Sequence, residues 1–220
     1  MATKQFAVIG LGRFGSSVAS TLYGLGFDVL GIDAEEGRTQ AMINSTTHVV
    51  QADATDDEAL RTLGLRNFDV VVVAVGGDLQ SSILVTLILK ELGVRFVVVK
   101  ASNDLHGRVL EKIGADRVVF PERDMGVRLA HNLVSTNVLD YIELSPDYSL
   151  VELTAGGELA GHTLRDLNLR ARFGINVLAL RKGEEIKVSP GGDDVIDEGD
   201  IMVIIGANQD IARLERLRGS

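Results

Sequence analysis

The sequence predicts an α/β fold, a doubly wound parallel sheet followed by a smaller α+β domain. From Phe6 to Phe120, short β-branched runs alternate with longer segments of helical period, the pattern of βα units around a parallel sheet. Runs such as Val70-Val71-Val72-Val73-Ala74-Val75 carry no polar alternation, so these strands are expected to be buried on both faces. Past Pro121 the strands shorten and turns become frequent. With 220 residues and roughly 150 per domain, the chain has room for one full-sized core and a smaller one. Its 45% apolar and 24% charged residues and mean hydropathy of +0.18 place it among folded proteins rather than disordered ones.

Strands are expected at 6–9, 28–32, 48–51, 70–75, 96–100 and 117–120, with helices at 14–25, 35–43, 56–63, 79–92 and 104–113. Thr55-Asp-Asp-Glu58 reads as a capping box opening the third helix, and Gly64 and Gly114 stand where a left-handed residue closes one. In the helix at 79–92, Ile83, Leu84, Val85, Leu87, Ile88 and Leu89 cover nearly the whole circumference. One face meets the sheet; the rest needs either neighbouring helices of the same chain or a second subunit. Residues 122–139 read as a further helix, bearing Met125, Leu129 and Leu133, that leads into Tyr141-Ile-Glu-Leu144. Strands follow at 149–154, 176–180, 185–188 and 201–205, separated by glycine-containing turns and a short helix at 164–167 capped by Thr163. A last helix at 210–217 sets Ile211, Leu214 and Leu217 on one side, with arginines near its end where the dipole favours them. The expected division is 1–140 and 141–220, without a flexible linker.

Charge and composition narrow the function. Twenty-two basic against 31 acidic residues leave a net charge of −9 with no basic run, which argues against nucleic acid as a partner. A single phosphorylated small molecule needs only a local site and stays open. The absence of cysteine excludes disulfides, thiol catalysis and cysteine-based zinc sites and fits a reducing compartment. The apolar runs at 70–75 and 83–89 are far shorter than the roughly 20 residues that span a bilayer. The chain is therefore read as soluble and cytoplasmic.

Gly10-Leu11-Gly12-Arg13-Phe14-Gly15 follows an expected strand and opens an expected helix, the context that gives a GxGxxG motif its meaning. Gly10 makes the tight turn, Gly12 lets the backbone approach a phosphate, and Gly15 lets the helix lie close to the sheet, as in a Rossmann-like domain. Asp33, 21 residues after Gly12, ends the second strand, where a carboxylate accepts ribose hydroxyls. A P-loop shares the glycine spacing but requires Lys-Ser/Thr next, and Ser16-Ser17 stands there instead. Arg13 is unusual between these glycines. Its guanidinium is able to take a terminal phosphate bidentately, which brings a triphosphate into consideration beside a dinucleotide; the alternative is a surface arginine on the first helical turn. Asp53, after the third strand, is either at an adenine edge or a turn residue, and Lys100, ending the fifth strand, either faces phosphates or is solvated.

No catalytic constellation accompanies this loop. None of Tyr23, Tyr141 and Tyr148 has a lysine four residues later, and His48, His106, His131 and His162 lack any metalloprotease or triad context. The expectation is binding without chemistry, not an enzyme. The competing reading is an NAD(H)-binding redox sensor or small oxidoreductase on the same loop.

At this point the residues resemble a family, the cytoplasmic RCK (regulator of K+ conductance) subunits of bacterial Ktr/Trk potassium-uptake systems, of the KtrA/KtrC type. The resemblance runs over essentially the whole chain. It is carried by Phe6-Ala-Val-Ile-Gly-Leu-Gly-Arg-Phe-Gly15, Leu89-Lys-Glu-Leu92, Val109-Leu-Glu-Lys-Ile-Gly-Ala-Asp116, Phe120-Pro-Glu-Arg-Asp-Met-Gly126, Asn137-Val-Leu-Asp-Tyr141 and Leu167-Asn-Leu-Arg-Ala171. It implies a Rossmann-like N-lobe, a crossover helix exchanged between subunits, and a C-lobe that dimerises separately. Such homodimers are implied to assemble into a homo-octameric ring, peripheral on the inner face of the membrane and docked on a K+-translocating subunit. The resemblance further implies that ATP activates and ADP inactivates, with NADH the less favoured ligand. Gly10, Gly12, Arg13, Phe14, Gly15 and Asp33 match the family's nucleotide loop and ribose acid, while at Asp53 members vary between Asp and Asn. Glu122 matches its acidic residue for a divalent cation, Mg²⁺ or Ca²⁺. Leu169, Arg170, Asn176, Val177 and Pro190 resemble the segment that binds cyclic di-AMP in some members. The Gly191-Gly192-Asp-Asp194 stretch departs from that pattern.

Overall fold

β-branched residues crowd the strands of the first sheet because its central strands are covered on both sides. The computed structural model describes residues 4–134 and 138–218, and the chain divides into two compact units, Met1–Arg123 and Asp124–Ser220. In the first unit, strands β1 (Gln5–Ile9), β2 (Asp28–Asp33), β3 (His48–Gln51), β4 (Val70–Val73), β5 (Val97–Lys100) and β6 (Arg117–Val119) alternate with helices α1 (Arg13–Gly24), α2 (Glu36–Met42), α3 (Asp57–Thr62), α4 (Leu79–Glu91) and α5 (Asp104–Lys112). All strand pairs are parallel, in the order β3-β2-β1-β4-β5-β6. Ala7, Ile9, Val71 and Val73 enter one core, with Leu60, Val85, Leu89 and Leu110. Val8 and Val72 enter the other, with Leu11, Ala19 and Met42. Strands buried on both faces explain the missing polar alternation. Winding reverses between β1 and β4, where Ile9 pairs with both Ile32 and Val73, and such a switch point leaves a crevice beyond the strand ends.

Local chemistry shifts some expected boundaries. The third helix is capped by Asp56, which accepts from the N–H groups of Glu58 at 2.9 Å and Ala59 at 3.4 Å. The Thr55 hydroxyl is drawn instead to the Asp53 carboxylate at 2.7 Å, so the expected Thr55 capping box does not form. The fourth strand stops at Val73 rather than Val75, because one further ladder bond, from Ala74 N–H to the Ile9 carbonyl, is followed by Gly76-Gly77 and the Asp78 cap of α4. Gly64 and Gly114 adopt the expected positive φ, 65° and 98°. On α4, Val85, Ile88 and Leu89 are buried, whereas Leu79, Leu84 and Leu87 stay exposed.

Helix α6 (Pro121–Val134) begins in the first unit and runs into the second. The expected helix at 122–139 is thus too long: 135–137 lie outside the described residues, as does Asn137 of the Asn137–Tyr141 motif, and from Val138 the chain is strand. The second unit contains β7 (Val138–Ser145), β8 (Tyr148–Thr154), β9 (His162–Thr163), α7 (Leu164–Leu167), α8 (Leu169–Phe173), β10 (Asn176–Lys182), β11 (Glu185–Val188), β12 (Val195–Ile196), β13 (Ile201–Ala207) and α9 (Asn208–Arg218). Five strands form an antiparallel sheet in the order β11-β10-β13-β8-β7, and β12 pairs with β9 separately. Strict alternation along β8 and β13 turns Val151, Leu153, Met202 and Ile204 into a core shared with Leu159, Phe173, Ile211 and Leu214. Thr163 and Asp166 form a reciprocal capping box on α7, as expected. Asn168, at φ 43°, then breaks the helix and starts α8, which was not expected.

Candidate functional site

The glycine loop lies at the carboxyl end of β1, beside the switch point. Gly10 has φ +90°, and a side chain there would meet the Ala74 carbonyl carbon and Val75 nitrogen at 2.9 Å, so both torsion and space demand glycine. A Cβ on Gly15 would lie 1.8 Å from the Gly10 carbonyl oxygen, which is how closely α1 is packed onto the loop. Gly12 differs. It is the extended N-cap of α1, receives no side-chain cap, and has only the Arg38 guanidinium near it, 3.9 Å from the position of a Cβ. The first turn of α1 carries no acid, so its N–H groups and the positive end of its dipole face the approach over Gly12.

Asp33 ends β2 and is buried, 8% exposed. One carboxylate oxygen accepts the Leu11 N–H at 2.6 Å and the other the Glu35 N–H at 2.9 Å. Asp33 therefore fixes the loop, and its carboxylate retains further lone pairs for a ligand. Arg38 of α2 lies 3.6 Å from Asp33 and 2.8 Å from Glu35. Sequence reasoning missed it. The available signal was a guanidinium one helical turn into the element that follows the acid.

Phe14, Lys100 and Glu122 meet at the loop's other flank. Lys100 ends β5, with its ammonium hydrogen-bonded to the Glu122 carboxylate and 5.9 Å from the Phe14 ring centroid. The same ammonium is 3.4 Å from where a Gly76 Cβ would be. Hydrogen bonding from Lys100 holds the Glu122 carboxyl below its ordinary range, helped by the charges of Lys100 and Arg13. Arg13 is exposed and forms no ion pair among the described residues. Asp53 stands two residues past β3, exposed, and accepts from the Thr55 N–H at 2.9 Å and the Thr55 hydroxyl; the backbone bond, then the hydroxyl bond, lower its carboxyl. No group of three His, Cys, Asp or Glu side chains suited to a metal occurs among the described residues, so Glu122 has no such companions within the described chain.

In the second unit, Leu169 is 3% exposed and belongs to the core. Arg170 and Asn176 are exposed, on α8 and at the start of β10, and Val177 and Pro190 are half-buried. Pro190 follows Ser189, whose N–H donates to the Leu178 carbonyl at 2.8 Å. The Gly191-Gly192 segment is a closed turn on α7, since the Gly192 carbonyl accepts the Arg165 N–H at 2.8 Å and the Gly191 N–H reaches the Asp194 carboxylate at 2.7 Å. Among the described residues no helix is long and apolar enough to cross a membrane.

A doubly wound lobe with a glycine loop, followed by an antiparallel lobe, defines a class. Residues 6–121 match the TrkA-N domain and residues 148–219 the TrkA-C domain. The chain belongs to the RCK regulatory proteins of potassium uptake, of the KtrA/KtrC type. It is 53% identical to Ktr system potassium uptake protein C of Bacillus subtilis (strain 168) over 97% of this chain and 96% of that protein. Identity to Ktr system potassium uptake protein A is 49% in the same organism, over 96% of both chains. In Vibrio alginolyticus it is 40%, over 95% of both. Among solved structures, the GsuK RCK domain superposes with a TM-score of 0.69 at 19% identity, covering 100% of this chain and 48% of that one, a likeness of fold. The GsuK channel bound to NAD gives 0.67 at 18% identity, covering 100% of this chain and 40% of that one.

Proposed function

We propose that the chain is a nucleotide-gated, cytoplasmic regulatory subunit that binds ATP and ADP competitively at the glycine loop and controls a membrane-embedded K+-translocating subunit. The observation that carries this reading is that two cations, Arg13 and Lys100, flank an uncapped α1 N-terminus, which by itself is enough to hold a dinucleotide pyrophosphate. Asp33 takes the ribose, Asp53 borders the adenine, and Arg13, from the same or a neighbouring subunit, takes the terminal phosphate. Thermal stabilisation by ATP, ADP, NAD and NADH side by side tests this, with mass in solution measured on the same samples. Arg13→Ala weakens ATP more than ADP; equal loss removes the terminal-phosphate role.

In this reading residues 1–140 form the nucleotide-binding domain with its crossover helix and 141–220 the regulatory domain. Homodimers assemble into an octameric ring, a proposal supported by the exposed Leu79, Leu84 and Leu87 on α4. A divalent cation, Mg²⁺ or Ca²⁺, joins Glu122 side chains of symmetry-related subunits, which supplies the oxygen ligands one chain lacks. The dimeric C-lobe takes cyclic di-AMP, with two copies of Arg170 on its two phosphates beside Asn176, Val177 and Pro190. Leu169 then acts from within the core by holding α8. The second reading, NAD(H) binding without turnover, draws on Asp33 and on the shared fold of the NAD-bound GsuK channel. Stabilisation by NADH alone favours it.

A further inference from the structure

We propose that, until a divalent cation binds it, the Glu122 carboxylate is an internal counter-anion of the nucleotide site, competing with ligand phosphate for Lys100 and Arg13 and thereby selecting ligands by their phosphate charge. The inference rests on the reading that the loop takes nucleotide phosphates. It begins with Lys100, whose side chain is only 13% exposed although it carries a full charge. With its stem covered this far the ammonium has little freedom to move to another anion, and its other near neighbours, Gly76 and the Phe14 ring, supply none. Glu122 does, from the first turn of α6.

The partners are unequal. Glu122 is 69% exposed, so releasing it breaks one ion pair and no packing, and exposed pairs are weakly held. Arg13 opens α1 immediately before Phe14, whose ring centroid lies 5.9 Å from the Lys100 ammonium, so the loop flank carries two cations against one carboxylate. A terminal phosphate bears more charge than that carboxylate and accepts from both cations at once. Displaced, Glu122 remains favoured at a helix N-terminus, so α6 does not unravel when the tie is cut. Binding of phosphate thus exchanges the β5–α6 link at Lys100 for a ligand contact. A ligand with few phosphates does not complete that exchange.

The test is calorimetry on the full chain in metal-free buffer with ATP, ADP and tripolyphosphate. Glu122→Gln, at an exposed position, is expected to tighten tripolyphosphate and ATP by roughly 2–5-fold, and ADP less. In a Lys100→Gln background the same change is expected to have no effect, because the competed group is gone. Glu111→Gln, which removes the same charge from an exposed position on α5, leaves binding unaltered. Unchanged or weaker binding by Glu122→Gln overturns the inference, as does equal tightening by Glu111→Gln or no anion binding at all. If ATP and ADP bind but Glu122→Gln does not tighten them, the nucleotide reading stands alone. If tripolyphosphate tightens while neither nucleotide binds, the counter-anion stands and the nucleotide reading falls.

Discussion

A methyl group on Gly15 would overlap the Gly10 carbonyl oxygen at 1.8 Å, whereas one on Gly12 would touch only Arg38 at 3.9 Å. The two glycines are therefore kept for different reasons. Gly15→Ala gains about 1 kcal/mol of helix propensity but meets backbone, and overpacking of this kind costs about 3 kcal/mol, so the protein is destabilised. Gly12→Ala changes stability by about 1 kcal/mol or less, since only the cap is altered, yet its methyl stands in the phosphate approach. Urea denaturation together with ATP titration separates them: a large stability loss for the first, and lost binding with near-normal stability for the second. His106 offers a pH test. It is 4% exposed, its Nδ1 accepts the Ser102 N–H at 3.3 Å, and its Nε2 is buried without a partner among the described residues. Burial lowers its pKa below the ordinary 6.5. Below pH 6.5 the unfolded chain then binds the proton more readily, so stability is full above that pH and falls as pH drops from 6.5 towards the lowered value. His106→Asn keeps an acceptor for Ser102 and should flatten the denaturation profile just below pH 6.5; a slope identical to that of the unaltered protein would place the titrating group elsewhere.

At the scale of elements, α4 separates folding from association. Leu89 is fully buried, so Leu89→Ala is expected to cost about 2–5 kcal/mol of stability. Leu84 and Leu87 are 42% and 40% exposed, so Leu84→Glu with Leu87→Glu should leave the unfolding midpoint nearly unchanged while lowering the mass seen by sedimentation. An unaltered mass would remove α4 from the subunit interface. The all-round apolar character of this helix was legible in its sequence, as were the succession of strands and helices along the chain and the glycine loop, because period and turn chemistry are local signals. What was not legible depended on competition between neighbours. Thr55 lost its cap to Asp53, a left-handed Asn168 opened α8 directly after the expected α7, and the β12–β9 pair joins segments over 30 residues apart. The site was read to the same depth. Gly10, Gly12, Gly15 and Asp33 announced themselves by spacing, whereas the pairing of Lys100 with Glu122 and the place of Arg38 come from the way strand ends gather at one edge.

For the whole molecule, family membership and the loop's cations lead to one claim, that phosphate number at the glycine loop is converted into the shape of an assembly. A ligand shifts a conformational equilibrium only by its difference in affinity for the two states. ATP and ADP share adenine and ribose, so any difference between them must arise at the phosphate end, which the proposed function sets beside Arg13, Lys100 and Glu122. Two lobes with separate cores permit such a change without unfolding either. Small-angle X-ray scattering of the intact assembly at saturating ATP and at saturating ADP tests this most directly. The expected result is two distinct curves at the same mass, with the difference abolished by Arg13→Ala; superimposable curves at proven saturation would contradict the account.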